Sequence, residues 1–144
     1  MRVVCQRVKK AKVSVEQKIV GQINKGYLLY IGFSVDDNLE KVIKMAHKIS
    51  KLRIFEDKQG KLNFNLEQVH GQILAVSQFT LYGDVKGNHR PSFTNALNPE
   101  EANKLYQLFV SELSKLFDVE TGIFQAHMEV ESINDGPVTI LVEY

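Results

Sequence analysis

Tyr27-Leu28-Leu29-Tyr30-Ile31-Gly32-Phe33 is an unbroken apolar run directly after Gly26. An alternating strand shows one face to water. A continuous apolar run shows none, so it has to be covered on both sides. A second run, Ile73-Leu74-Ala75-Val76-Ser77-Gln78-Phe79-Thr80-Leu81, follows later. Two helical patterns, one between these runs and one beyond them, supply the cover. Such a chain forms an α/β or α+β domain in which two helices cover sheet.

Around the two runs the remaining elements fall into place. Val3 to Val8 and Ala11 to Glu16 read as two strands, and in the second Val13 and Val15 alternate with Lys12, Ser14 and Glu16. Asp37, with Glu40 three residues on, has the chemistry of a helix start. Leu39, Val42, Ile43, Ala46 and Ile49 follow at helical spacing, which predicts a helix ending near Arg53. Glu56 to Gly60 is a turn. Tyr82 to Asn98 lacks periodicity and holds Gly83, Gly87 and Pro91, as expected for a functional or covering loop. Asn98-Pro99-Glu100-Glu101 opens a second helix, with its stripe on Ala102, Leu105, Tyr106, Phe109, Val110, Leu113, Leu116 and Phe117. Gln125 to Glu143 reads as two strand-like stretches broken at Asn134-Asp135-Gly136-Pro137. There is no internal repeat, low-complexity tract or linker, so residues 1–144 are expected to form a single domain.

Composition excludes several classes. Lys and Arg total 18 against 17 Asp and Glu, a net charge of +1. A protein gripping a long stretch of nucleic acid by its phosphates is usually more basic, so any such contact is expected to be local. One cysteine, Cys5, cannot form an internal disulfide, and it reads as a small core residue rather than a nucleophile. No apolar run approaches the ~18 residues of a membrane span. A signal core is also missing, and the expected location is the cytoplasm.

The common catalytic signatures are absent. His47, His70, His89 and His127 form no ligand pair at helical spacing, and His47 reads as a helix-boundary residue. Neither a metal nor a cofactor is expected. Three places nevertheless depart from plain structural sequence. Ser77-Gln78-Phe79-Thr80 sets hydrogen-bonding groups at the end of an apolar strand, with Gln78 and Thr80 on one face and Ser77 and Phe79 on the other. A strand running into solvent and a ligand site both fit that pattern. Asn134-Asp135-Gly136-Pro137 fits a turn. It also fits a Gly-Pro bond in the cis form, whose carbonyls would suit an ammonium group. Arg7, Lys9, Lys10 and Lys12, and separately Lys86, His89 and Arg90, fit either a solvated surface or a local phosphate contact.

Together these residues resemble the D-aminoacyl-tRNA deacylases. The resemblance runs from Gln6-Arg7-Val8 through Arg53-Ile54-Phe55 and Arg90-Pro91-Ser92-Phe93, and rests on Ser77-Gln78-Phe79-Thr80 and Asn134-Asp135-Gly136-Pro137-Val138-Thr139. It implies mixed β-sheets in a sandwich or barrel-like arrangement with two helices packed on one side. It further implies hydrolysis of the ester between a D-amino acid and the 3′-terminal adenosine of tRNA, by a homodimer with active sites at the subunit interface. Ser77, Gln78, Phe79 and Thr80 would form the catalytic motif, with the Phe79 N–H as oxyanion donor. Gly136 and Pro137 would enter the partner's site, hold the substrate's α-amino group and exclude L side chains. Arg7 would hold the Gly-Pro loop. The partner is the 3′ end of aminoacyl-tRNA, with no DNA and no membrane.

A threonine nucleophile needs a base. No His/Asp constellation is recognisable to serve Thr80, which favours positioning of the ester and help from the ribose 2′-hydroxyl. Exclusion alone cannot reject glycine, so glycyl-tRNA is expected to be cleaved. A module that binds tRNA ends without turnover, or a hydrolase of other small esters, would also lack acid-base residues.

Overall fold

The computed structural model describes residues Met1–Tyr144. Strands β1 (Arg2–Val15), β2 (Lys18–Ile23) and β3 (Gly26–Gly32) open the chain, and β1 pairs antiparallel with both others, with β2 through Ala11–Val15 and with β3 through Arg2–Val8. Helix α1 (Leu39–Lys51) follows, then the short pair β4 (Phe55–Glu56) and β5 (Leu62–Phe64). Strand β6 (Gln72–Ser77) runs parallel to β3. A 3-10 turn (Phe79–Tyr82), α2 (Pro99–Ser114), β7 (Val119–Thr121) and β8 (Glu129–Glu143) complete the chain. The main sheet is mixed. Its order is β2-β1-β3-β6-β7, and β8 lies antiparallel along the other side of β1. It curls into a nearly closed barrel-like form with both helices packed on one side, the arrangement that the resemblance implies.

The basic pair Lys9-Lys10 does not end the first strand, and β1 is one strand rather than two. Its register with β8 shifts between Gln6 and Val8 and again between Val8 and Lys10. These bulges re-phase the strand. Val3 and Cys5 face the helices in the larger core, whereas Val8, Ala11 and Val13 face a second core inside the curl. β8 is likewise one strand that absorbs Asn134–Pro137 as an irregularity.

Asp37 is not the cap of α1. Asn38 is, accepting from the Lys41 N–H at 3.0 Å. The Asp37 side chain is buried and accepts instead from the Met1 ammonium at 2.6 Å and the Ser34 N–H at 2.7 Å. The helix ends at Lys51, short of Arg53, and His47 lies within it. Val42, Met45, Ala46 and Ile49 form its buried stripe, while Leu39 and Ile43 fall to the solvent side of that arc. α2 begins as its sequence predicts: Asn98 accepts from the Glu101 N–H at 3.1 Å and donates to the Glu101 carboxylate at 2.6 Å. Leu116 and Phe117 lie past its end, and Leu116 is exposed.

Two buried tyrosines tie the layers together. Tyr27 donates to the Leu52 carbonyl at 2.7 Å, and Tyr106 to the Ala75 carbonyl at 2.9 Å. Burial pushes both hydroxyls well above the usual phenol range, so they remain donors. Cys5 is fully buried, and burial drives its thiol far above the ordinary range. No helix is long and apolar enough to cross a membrane.

Candidate active site

β6 leaves the sheet at Ser77, earlier than the expected Leu81. Its neighbour β3 stops at Gly32, and the Gln78 N–H donates the last ladder bond, to the Ile31 carbonyl at 2.7 Å. The chain then tightens into the 3-10 turn, so Ser77, Gln78, Phe79 and Thr80 do not alternate as strand faces. Gly32 permits this close departure. A Cβ there would sit 2.9 Å from the Gln78 carbonyl oxygen.

Ser77, Gln78 and Phe79 stand on a cleft of about 640 Å³ between the sheet, the start of α2 and the segment Phe124–Met128. The cleft is mostly apolar, with Phe33, Phe93, Phe124 and Met128 on its walls. His127 is its one ionisable lining residue. Thr80 does not line the cleft. Its hydroxyl accepts from the Gln78 side-chain amide, which is no base. The Phe79 N–H opens the 3-10 turn and therefore has no acceptor within it.

Arg2 anchors the turn, a role its sequence position did not reveal. Its Nη1 donates to the Leu81 carbonyl at 2.7 Å, and the guanidinium lies 4.6 Å over the Tyr82 ring. The loop after the turn folds back through paired bonds between Asp84 and Ser92 and seats Phe93 edge-on against Phe79, 5.0 Å between centroids. It is the covering loop expected from the sequence. Phe124, Gln125, His127 and Met128 were also not legible as site residues. Gln125 has a φ of +64°, an unusual backbone for a non-glycine residue at a cleft wall.

Arg7 lies elsewhere and is nearly fully buried. Its Nε donates to the Asp135 carbonyl at 3.0 Å and its Nη1 to the Ile54 carbonyl at 2.9 Å. Glu56 lies 3.3 Å from Nη2. The Asn134 side chain spans the loop, accepting from the Val138 N–H at 3.1 Å and donating to the Thr139 hydroxyl at 2.9 Å. The Gly136-Pro137 bond is cis. Gly136 has a φ of +127°, and a Cβ there would meet Arg7 Nη2 and Val138 Cγ2 at 2.9 Å each. Both Gly136 and Pro137 are exposed.

Within one chain these two groups of residues do not meet. Ser77 pairs with Ile31, Ile31 with Val3, and Val3 with Val142. Gly136 lies level with Arg7, four residues along β1 from Val3, so at ~4.8 Å between strands and ~3.3 Å per residue it is roughly 20 Å from Ser77 along the sheet. Arg7, Gly136 and Pro137 are absent from the cleft walls.

A cleft at the end of a parallel strand pair, with polar groups at its mouth and a mixed curled sheet behind, is a candidate ligand site of an α/β protein. Comparison with known proteins narrows this. The D-Tyr-tRNA(Tyr) deacylase family matches residues 4–143, and the chain belongs to that family. A D-aminoacyl-tRNA deacylase of Exiguobacterium sibiricum is 53% identical over 144 residues, covering 99% of both chains. One from Thermotoga petrophila is 51% identical over 144 residues, 99% of this chain and 97% of the relative. A solved structure described as a c-Myc DNA unwinding element binding protein superposes with a TM-score of 0.94 at 38% identity, covering 100% of this chain and 99% of that one.

Proposed function

We propose that the chain hydrolyses the ester between a D-amino acid and the 3′-terminal adenosine of tRNA, in the cytoplasm, as a homodimer of single-domain subunits. The observation that carries this is the placement of Ser77, Gln78 and Phe79 at the mouth of an apolar cleft, in a chain of the deacylase family. In this mechanism the free Phe79 N–H holds the developing oxyanion, a contribution of about 10²–10³ in rate. Ser77 and Gln78 position the ester, and Thr80 holds the Gln78 amide. The terminal ribose 2′-hydroxyl then helps to activate water. Positioning of this kind needs no ionised catalyst on the protein.

Gly136 and Pro137 act in the partner's cleft. The roughly 20 Å between them and Ser77 in one chain supports action in trans. So does the outer edge of β8, which no strand of this chain covers. Beside that edge, Leu141 and its neighbour Val4 give the sheet a partly exposed apolar surface for a second copy. In the partner's site the Gly-Pro carbonyls accept from the substrate's α-ammonium, and the bulk of the loop excludes an L side chain. Glycine offers nothing to exclude, so glycyl-tRNA is cleaved as well.

Hydrolysis of D- and L-tyrosyl-tRNA by the purified protein in chelator tests the reading. Loss of the D ester alone is the expected result. Tight tRNA binding with neither ester lost would replace it with a binding module, and equal loss of both would remove the Gly-Pro loop from chiral selection.

A further inference from the structure

The basic cluster near the start of the chain divides into separate tasks. Arg7 is engaged by the Gly-Pro loop and by Ile54. Lys12 pairs with Glu131 at 3.0 Å. Lys9 and Lys10 are exposed and have no carboxylate within ion-pair distance. The bulges that re-phase β1 set these two lysines beside the loop: Val8 lies opposite Asn134 and Lys10 opposite Ile133. Lys10 and Lys12 also border a groove of about 340 Å³ between β1, β2 and β8, where Gln22, Asn24 and Ser132 offer amide and hydroxyl groups and the one carboxylate, Glu131, is neutralised by Lys12.

Lys9 and Lys10 therefore travel with Gly136 and Pro137 into whatever surface that loop meets. The cleft it is assigned to meet has no lysine or arginine on its walls. Yet a nucleic-acid 3′ end arrives with a phosphodiester on every nucleotide. The charge that receives it has to come from outside the cleft.

We propose that this stretch of β1, with the groove that Lys10 borders, is an RNA-backbone site acting in trans: exposed Lys9 and Lys10 of one subunit bind phosphates of the acceptor end seated in the other subunit's cleft. Gln22, Asn24 and Ser132 add neutral hydrogen bonds to the backbone. The assignment rests on action of the loop across the dimer. It also explains how a chain of net charge +1 holds tRNA, since two well-placed cations suffice for a local contact.

The test is the double variant Lys9→Ala/Lys10→Ala, whose side chains lie outside the catalytic motif. With D-tyrosyl-tRNA, KM is expected to rise on the order of tenfold at low salt while kcat holds, and the slope of log(kcat/KM) against log salt is expected to flatten by roughly 1.4–1.8 units for two phosphates. D-tyrosyl-adenosine, which lacks those phosphates, is expected to be turned over as before. An unchanged KM and salt slope on tRNA, or equal losses on the adenosine ester, would overturn the proposal. Mixed dimers test the direction. When Gln78→Ala disables one cleft, the lysine substitutions should weaken the live site only when carried on the disabled chain; weakening from the live chain alone would overturn action in trans. Fluorescence anisotropy with uncharged tRNA reads the same contacts without turnover. Weaker, less salt-dependent binding by the variant is expected even if the esterase reading fails, and unchanged binding would refute the site.

Discussion

Replacing Arg7 with methionine tests how the Gly-Pro loop is held. Methionine keeps much of the buried stem's volume and removes every donor. Two main-chain carbonyls lose their guanidinium partners, those of Ile54 and Asp135. Ile54 is 3% exposed, so no water replaces that bond. Asp135 is partly exposed, so its carbonyl is partly rehydrated. A hydrogen bond from a charged donor contributes about 1.5–3 kcal/mol, and stranding a buried acceptor costs about 1–3 kcal/mol. The side chains of Glu56 and Asp135 are 53% and 35% exposed, so these ion pairs add at most about 1 kcal/mol. Because the lost bond and the stranded acceptor describe overlapping costs, the lower half of each range applies, and the loss is about 3–4 kcal/mol. With a urea slope of about 2 kcal/mol per molar, the unfolding midpoint falls by about 1.5–2 M. Arg7→Lys reaches one carbonyl rather than two and should fall by about half as much, whereas Glu56→Gln should barely move. Deacylation of the D ester by the folded Arg7→Met protein is expected to drop, because Asp135 next to Gly136 is no longer tied down. A midpoint shift below about 0.5 M with D activity and chiral preference intact would refute the assignment of Arg7 as the loop's anchor.

Three further outcomes follow from particular contacts. Gly136→Ala places a Cβ at a φ of +127° and within 2.9 Å of Arg7 and Val138; a stability loss of about 1–3 kcal/mol by urea unfolding is expected, with a larger proportional loss of D-ester turnover. Asn98→Ala removes the α2 cap seen at 3.1 Å and should cost about 1 kcal/mol, measured by thermal melting. Cys5 should resist thiol reagents in the folded protein up to pH 9, because burial raises its pKa and keeps the thiol neutral; alkylation at a rate independent of denaturant would contradict that burial.

Much of the architecture was legible in local pattern. The run Tyr27–Phe33 became β3, which is buried over nearly all its length. Asn98-Pro99 opened α2 at the expected residue. These features rest on periodicity and cap chemistry, which operate within a few residues. Where competing groups lay close together, local chemistry misled. Asp37 and Asn38 are both good caps, and the buried ammonium of Met1 took Asp37. Lys9-Lys10 looked like a break because a bulge has no clear signature in one strand alone; it is defined by the register of β8 opposite. The same holds for the end of β6, which depends on where β3 stops. β2, β4, β5 and β7 passed unrecognised because each is short and none carries a clear alternation of its own.

The candidate site divides along the same line. The sequence by itself determined which residues depart from plain structural sequence: Ser77-Gln78-Phe79-Thr80, Gly136-Pro137 and the basic stretch beginning at Arg7. It did so because residue type and order are enough to distinguish a motif. Only the tertiary structure decided where those residues stand. It set Ser77, Gln78 and Phe79 on a cleft while turning Thr80 aside. It clamped Arg2 to the turn and buried Arg7 against the Gly-Pro loop. It also separated that loop from the cleft by three strand spacings. Distances between residues far apart in sequence are set by strand register and sheet curvature, and those arise from packing of the whole chain rather than from any one segment of it.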